Sequence, residues 1–156
     1  MTERLPGPSL LFELFAASQR VRTLLEHAMA AAGLTPDEYA VYSVLVDRGP
    51  STPSRMANAV GMPPTTMSHY VRAMLQRRHA QRRPNPEDGR SVLLALTRSG
   101  RGAHARAASA FEEANGRFLD ELRRSDRDVR SVLRAVNSAA AQASIRLADD
   151  TLRTAG

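Results

Sequence analysis

The stretch from Gly61 to Thr97 constrains the fold most, because it has the pattern of one helix followed directly by a basic β-hairpin. Pro63 and Pro64 suit the start of a helix, where a backbone N–H is not needed. The apolar residues that follow recur at helical spacing, so they are expected to be buried: Met67, Val71, Met74 and Leu75.

The predicted hairpin consists of two extended runs, residues 81–84 and 90–96, around the loop Asn85–Gly89. An Asp-Gly pair between extended runs is a strong hairpin signal. A helix with a small polar face can enter a major groove, and an Arg-tipped hairpin beside it can reach a minor groove. The pattern therefore favours a DNA-reading unit.

The positive charge is concentrated in this same part of the chain. All 22 basic residues are Arg, and nine of them lie between Arg72 and Arg106 against only Glu87 and Asp88, a surplus of +7. The rest of the chain has 13 Arg and 14 acidic residues, a balance of −1. A field confined to one segment is typical of phosphate binding, although a charged run can also be an ordinary solvated surface.

Composition excludes several other classes of protein. The absence of Cys excludes disulfides, Cys-ligated zinc and thiol-based redox sensing, and it fits a reducing compartment. The apolar run Leu10–Ala17 is broken by Glu13, so we expect neither a signal peptide nor a membrane span. The four His show no metal-ligand spacing, and no catalytic constellation occurs. We therefore expect a cytoplasmic protein that is not an enzyme and has no cofactor or metal.

Helices are predicted on both sides of the central stretch. Residues 9–32 form a long helix that Gly33 ends, and Thr35 then caps a second helix, with Glu38 completing a capping box. Thr52 caps a short third helix that closes at Gly61. A tight turn separates it from the next helix, as in a helix-turn-helix unit. After the hairpin, Thr97 and the stretch 125–128 begin two long helices that contain no Pro.

The expected fold is thus α+β but mostly α: a winged helix-turn-helix unit, residues 34–97, within a single domain spanning residues 1–156. The segments 9–32 and 98–152 carry long apolar stripes that this small unit cannot cover. A second copy of the chain can bury these apolar stripes, so we predict a two-fold dimer held by the terminal helices. The alternative is a monomeric bundle in which these stripes meet each other.

The chain resembles the MarR family of winged helix-turn-helix regulators over about 65 residues. The matching segments are Leu34-Thr35-Pro36-x-x-Tyr39, Met56-Ala57-x-x-Val60-Gly61-Met62, Thr65-Thr66-Met67-Ser68-x-x-Val71 and Arg82-Arg83-Pro84-x-Pro86-x-Asp88-x-Arg90-x-x-x-x-x-Leu96-Thr97-x-x-Gly100.

The resemblance implies a homodimeric regulator of transcription, often a repressor, that binds double-stranded DNA. It also implies that a small effector, often phenolic or anionic, lowers the affinity for DNA. One departure is His79-Ala80, where the family usually has Gly and a large apolar residue. His tolerates a left-handed conformation better than most residues, so the turn can survive at His79. Ala80 leaves less apolar packing under the wing.

The predicted DNA contacts fall into three groups. The first is the exposed start of the reading helix, where Arg72 is placed to contact a guanine edge or a phosphate. The second is the wing. By analogy with the family, Arg90 enters the minor groove and Asp88 orients it, unless Asp88 only shapes the turn. The third is the start of the preceding helix, where hydroxyls can donate to phosphate or simply cap. The full set is Thr52, Ser54, Pro64, Thr65, Thr66, Ser68, His69, Arg72, Arg82, Arg83, Asp88 and Arg90, with Ser51 as a further phosphate donor.

Two other kinds of protein remain as alternatives. One is a protein-interaction adaptor that keeps the winged fold, although an adaptor would not need the +7 segment. The other is a small-molecule-binding protein or enzyme that uses a cavity at the dimer junction.

Overall fold

The computed structural model describes residues 9–154, which form six helices and a two-stranded sheet. In chain order these are α1 (Leu10–Met29), α2 (Pro36–Asp47), α3 (Pro53–Val60), α4 (Pro64–Gln76), β1 (Ala80–Pro84), β2 (Val92–Leu96), α5 (Arg98–Glu121) and α6 (Asp126–Thr154). The chain divides into two compact units, one ending at Ala114 and the other beginning at Asn115. The predicted α+β class, mostly helical and with a winged helix-turn-helix, is confirmed.

Short-range capping sets the starts of the central helices, as the sequence predicted. The Thr35 side chain accepts from the Glu38 N–H at 3.2 Å, while the Glu38 carboxylate accepts from the Thr35 N–H at 3.0 Å, which completes the capping box. Thr52 caps α3, and Gly61 ends it in a left-handed conformation with φ 75°. α1 ends three residues earlier than predicted, because residues 30–33 form a turn before Leu34 enters the core.

The expectation that His79 takes the left-handed position is wrong. Arg78 is left-handed instead, with φ 56°. The His79 N–H donates to the Met74 carbonyl at 2.9 Å and the Arg78 N–H donates to the Leu75 carbonyl at 3.0 Å. These two backbone hydrogen bonds form a Schellman C-cap. That motif requires the left-handed residue directly after the Arg77 cap.

The wing is an antiparallel pair in which Ala80 faces Leu96 and Pro84 faces Val92. Ser51 adds an isolated bridge through two backbone hydrogen bonds with Leu94, at 3.0 and 2.9 Å. The second strand begins at Val92, so the prediction that it already includes residues 90 and 91 is wrong. Gly89 also lacks the positive φ that a type I′ Asp-Gly turn needs, because the loop is seven residues long and closes in another way.

The core of the first unit lies where α2, α3, α4 and the sheet meet. Its most buried residues include Val41, Tyr42, Met56, Met67, Met74 and Leu94, each at most 2% exposed. Ala103 and Ala107 bring α5 onto the same core. The buried face of α4 is the one predicted, which leaves its other face open.

The stripes of the terminal helices are largely exposed within the described chain. On α1, Leu10, Leu11, Phe12 and Phe15 are each at least 60% exposed. On α6, described by itself, Val132, Leu133, Ile145 and Leu147 are each more than half exposed. Exposed apolar patches larger than those of a typical monomer mark surfaces that bind a partner, a membrane or a ligand. None of the described helices is long and apolar enough to cross a membrane.

Candidate nucleic-acid interface

The open face of α4 carries most of the predicted base contacts. Thr65, Ser68, His69 and Arg72 are exposed and fall within an arc of about 100°, given 3.6 residues per turn. Thr66 is exposed beside them, and Pro64 is the exposed first residue of the helix. The Ser68 hydroxyl donates to the Pro64 carbonyl at 2.9 Å, so it can offer only its lone pairs to a base. Polar groups and one cation thus line the helix from its N-terminus.

The predicted wing arginines are all exposed, but they occupy different parts of the hairpin. Arg82 and Arg83 lie on β1 opposite Leu94 and Leu93, so their side chains alternate between the faces of the sheet. Arg83 borders a cleft with Val46 and Arg101. Arg90 lies in the turn before β2. Strand alternation therefore does not determine whether Arg82 or Arg83 lies on the same side of the hairpin as Arg90.

Asp88 acts on Arg90 through the backbone. Its carboxylate Oδ1 accepts from the Arg90 N–H at 3.0 Å. Both residues are exposed at the tip. Asp88 therefore shapes the turn from which the Arg90 side chain projects.

At the start of α3, the hydroxyl groups differ in accessibility. Thr52 is half-buried and accepts from the Arg55 N–H at 3.3 Å, while Ser54 is exposed. Ser51 is a correction to the sequence-based expectation: it is 5% exposed and its hydroxyl donates to the Gly49 carbonyl at 3.1 Å. Because the Ser51 hydroxyl is buried and already donates to Gly49, it is not available to a phosphate.

An ion pair connects α3 with the wing tip. Arg55 Nη2 lies 3.4 Å from Glu87 Oε2, and both side chains are well exposed. No local sequence pattern predicts this pair, since it joins positions 32 apart in the chain. The contact places the wing tip within side-chain reach of the first turn of α3.

Two neighbouring acids at the start of α2 bind arginines from two other helices. Arg22 of α1 donates to Asp37 at 3.0 and 3.4 Å, and Arg77 at the end of α4 contacts Glu38 at 2.8 Å. Burial and the adjacent Asp37 carboxylate raise the pKa of Tyr70, which lies on α4. A cleft of about 700 Å³ opens between these groups, with Met29 and Leu34 on its apolar side.

Two histidines take part in the packing of α2. His79 Nδ1 lies 3.0 Å from the Tyr42 hydroxyl, and burial together with Arg77 and Arg106 lowers the pKa of His79. His104 Nε2 lies 3.0 Å from the Ser43 hydroxyl and its ring stacks on Tyr39, and burial lowers its pKa. Within residues 9–154 no group of His and acidic residues could hold a metal ion.

The sequence matches no protein-family model. It is 26% identical over 120 residues to an uncharacterised HTH-type transcriptional regulator of Mycobacterium bovis, which covers 77% of this chain and 84% of that protein. The transcriptional repressor CouR, solved with a 23-mer DNA duplex, is 28% identical with a TM-score of 0.71, covering 90% of this chain and 99% of that one.

MarR of E. coli in its apo form superposes with a TM-score of 0.67 at 16% identity, covering 85% of this chain and 98% of MarR. This chain has the MarR-type winged helix-turn-helix fold. In this fold α4 is the second helix of the helix-turn-helix and the β1–β2 hairpin is the wing. The relatives with this MarR-type fold are DNA-binding transcriptional regulators.

Several residues that bear on the candidate interface could not be predicted from the sequence. Ion pairs between distant segments are not predicted by any local sequence pattern. They involve Arg22, Arg55, Arg77 and Glu87. Asn85 could have been found: an Asn between two prolines at the start of a loop is a strong turn signal.

Proposed function

We propose that this chain is a sequence-specific transcriptional repressor that binds a palindromic site on double-stranded DNA as a homodimer. The observation that carries the proposal is the open α4 face, Thr65 to Arg72, joined by a short cap to a wing whose strand and tip expose Arg82, Arg83 and Arg90. The +7 surplus lies in this same segment. Such a surface offers polar groups for base edges and cations for phosphates and the minor groove.

A homodimer is supported by the apolar residues that the described chain leaves exposed on α1 and α6. Light scattering at micromolar concentration should give twice the chain mass of 17.0 kDa. Phe12→Glu, which places a charge in the α1 patch, should shift the mass toward that of one chain. A single-chain mass for the wild type would remove both the dimer and the palindromic site.

Binding of a small aromatic acid is supported by the cleft beside Arg22 and Arg77. A carboxylate there would compete with Asp37 and Glu38 for these guanidinium groups, which bind carboxylates well. Because Arg77 caps the recognition helix, such competition would disturb the position of α4. The ligand would then lower the affinity for DNA.

Fluorescence anisotropy with labelled duplexes, repeated at several salt concentrations, tests DNA binding. Binding that weakens steeply with salt is expected for a phosphate-contacting regulator. Undetectable binding at low salt would instead favour the adaptor alternative. Adding a panel of aromatic acids tests the effector: if none lowers the affinity, the ligand-responsive part of the proposal fails while DNA binding stands.

A further inference from the structure

Asn85 is unusual among the residues of the wing tip because its polar side chain is buried. Within residues 9–154, only Ser51 and Asn85 are both polar and buried, and Asn85 is 8% exposed. It stands between Pro84 and Pro86 at the point where β1 ends. The other loop residues of the tip, from Pro86 to Arg90, are exposed.

Both functional groups of the Asn85 amide are used inside the loop. Its Nδ2 donates to the Ser91 hydroxyl at 2.7 Å, which ties the first residue of the loop to the last. Its Oδ1 accepts from the Glu87 N–H at 3.1 Å. One side chain therefore closes the loop across its base and also fixes its first turn.

These bonds continue to Arg90. Ser91 donates to the Asp88 carbonyl through its N–H at 3.1 Å and through its hydroxyl at 3.3 Å. The Asp88 carboxylate in turn accepts from the Arg90 N–H at 3.0 Å. The backbone from which the Arg90 side chain projects is thus held by a chain of hydrogen bonds that begins at Asn85.

We propose that Asn85 is a positioning residue for DNA binding: it holds the wing tip in the shape that presents Arg90 to the minor groove. This inference rests on the proposed function. No apolar core stabilises the tip, since its residues other than Asn85 and Ser91 are exposed. The Arg55–Glu87 ion pair is well exposed and contributes little, so the shape of the tip depends mainly on these hydrogen bonds. A loop ordered before binding loses less conformational entropy when it binds.

The consequence is a loss of affinity that depends on Arg90. Asn85→Ala should weaken binding to DNA about tenfold, the effect of ordering one or two side chains of a loop. It removes no charge, so the slope of log affinity against log salt should stay as in the wild type. In an Arg90→Ala background, the same substitution should change affinity less than about twofold, because the group being positioned is absent.

The experiment is a double-mutant cycle of Asn85→Ala and Arg90→Ala, measured by anisotropy on the tightest duplex recovered from a random-sequence selection. Ser91→Ala, which removes the other end of the 2.7 Å bond, should repeat the effect of Asn85→Ala more weakly. Asn85→Ser can still accept from the Glu87 N–H, so it should restore part of the affinity. Equal losses in both backgrounds, or no loss in either, would overturn the inference.

A readout without DNA separates this inference from the proposed function. Hydrogen exchange of the Glu87 and Arg90 amides should be faster in Asn85→Ala than in the wild type, while the amides of the α2 core keep their protection. Failure of the wild type to bind any duplex would count against the proposed function. Unchanged exchange at the tip would count against the role of Asn85 alone.

Discussion

The carbonyl oxygen of His79 packs against the Cα of Gly100 so closely that a Cβ at position 100 would overlap it. The same junction carries two further bonds, from the Thr97 N–H to the His79 carbonyl at 2.9 Å and from the Thr97 hydroxyl to the Arg78 carbonyl at 2.8 Å. Three elements therefore meet at this point: the end of α4, the end of β2 and the start of α5.

Gly100→Ala should destabilise the protein by about 1–3 kcal/mol, because the backbone at His79 must move to admit the methyl group. Gly102→Ala is the matched control on the same helix: its Cβ would meet only the end of the Arg106 side chain at 3.8 Å. It should stabilise by up to about 1 kcal/mol through helix propensity. Urea unfolding at a fixed protein concentration measures both, and equal effects would contradict the close contact.

Local capping and the apolar spacing of α4 were readable in the sequence because each depends on residues a few positions apart. Thr35 with Glu38, Thr52 and Gly61 are examples. The left-handed residue was predicted at His79, where the resembled family has Gly. The hydrogen bonds to the Met74 and Leu75 carbonyls instead place it at Arg78, directly after the cap. The bridge of Ser51 to Leu94 and the ion pairs of Asp37 and Glu38 depend on tertiary contacts, which no spacing rule predicts.

Stability should fall as the pH drops below about 6.5, the ordinary pKa of His. The folded protein lowers the pKa of His79 and of His104, so the unfolded chain binds more protons in this range. The stabilisation is complete above the unfolded pKa and is lost as the pH falls toward the folded values. The groups facing His79 are Tyr42, Arg77, Arg106 and Glu38, of which only Glu38 favours the charged ring.

The double variant His79→Gln with His104→Gln keeps side chains that can hydrogen-bond to Tyr42 and Ser43 but that do not titrate. Urea unfolding between pH 5 and pH 8 should give a flatter dependence of the unfolding free energy on pH than in the wild type. The other two histidines are present in both proteins, so the difference reports on these two sites. Equal slopes would show that neither ring is held neutral.

Arg72→Ala should cost about 1–3 kcal/mol of binding free energy on the preferred duplex and relax the choice of base at one position. The side chain is exposed on the open face of α4, one turn after Ser68 and His69. Affinity for a set of single-base variants of that duplex is the measurement. A uniform loss on every duplex would assign Arg72 to phosphate instead.

Arg90→Ala should weaken binding to most sequences and reduce the slope of log affinity against log salt by about 1. Its position at the wing tip, beside Asp88, suits a contact with the minor groove and its phosphates. Arg124→Ala, between α5 and α6, removes the same charge as a control and should leave the slope unchanged. Binding of Arg90→Ala that matches the wild type across the salt titration would make the wing assignment wrong.

The most direct measurement of the central claim is selection of bound sequences from random duplexes, followed by footprinting of the wild-type protein on the winner. Two recognition helices related by a dyad should enrich an inverted repeat whose half-sites lie about 10 base pairs apart, with protection symmetric about its centre. Enrichment of a single asymmetric half-site, or of no sequence at all, would contradict a dimeric reader built on α4 and the wing.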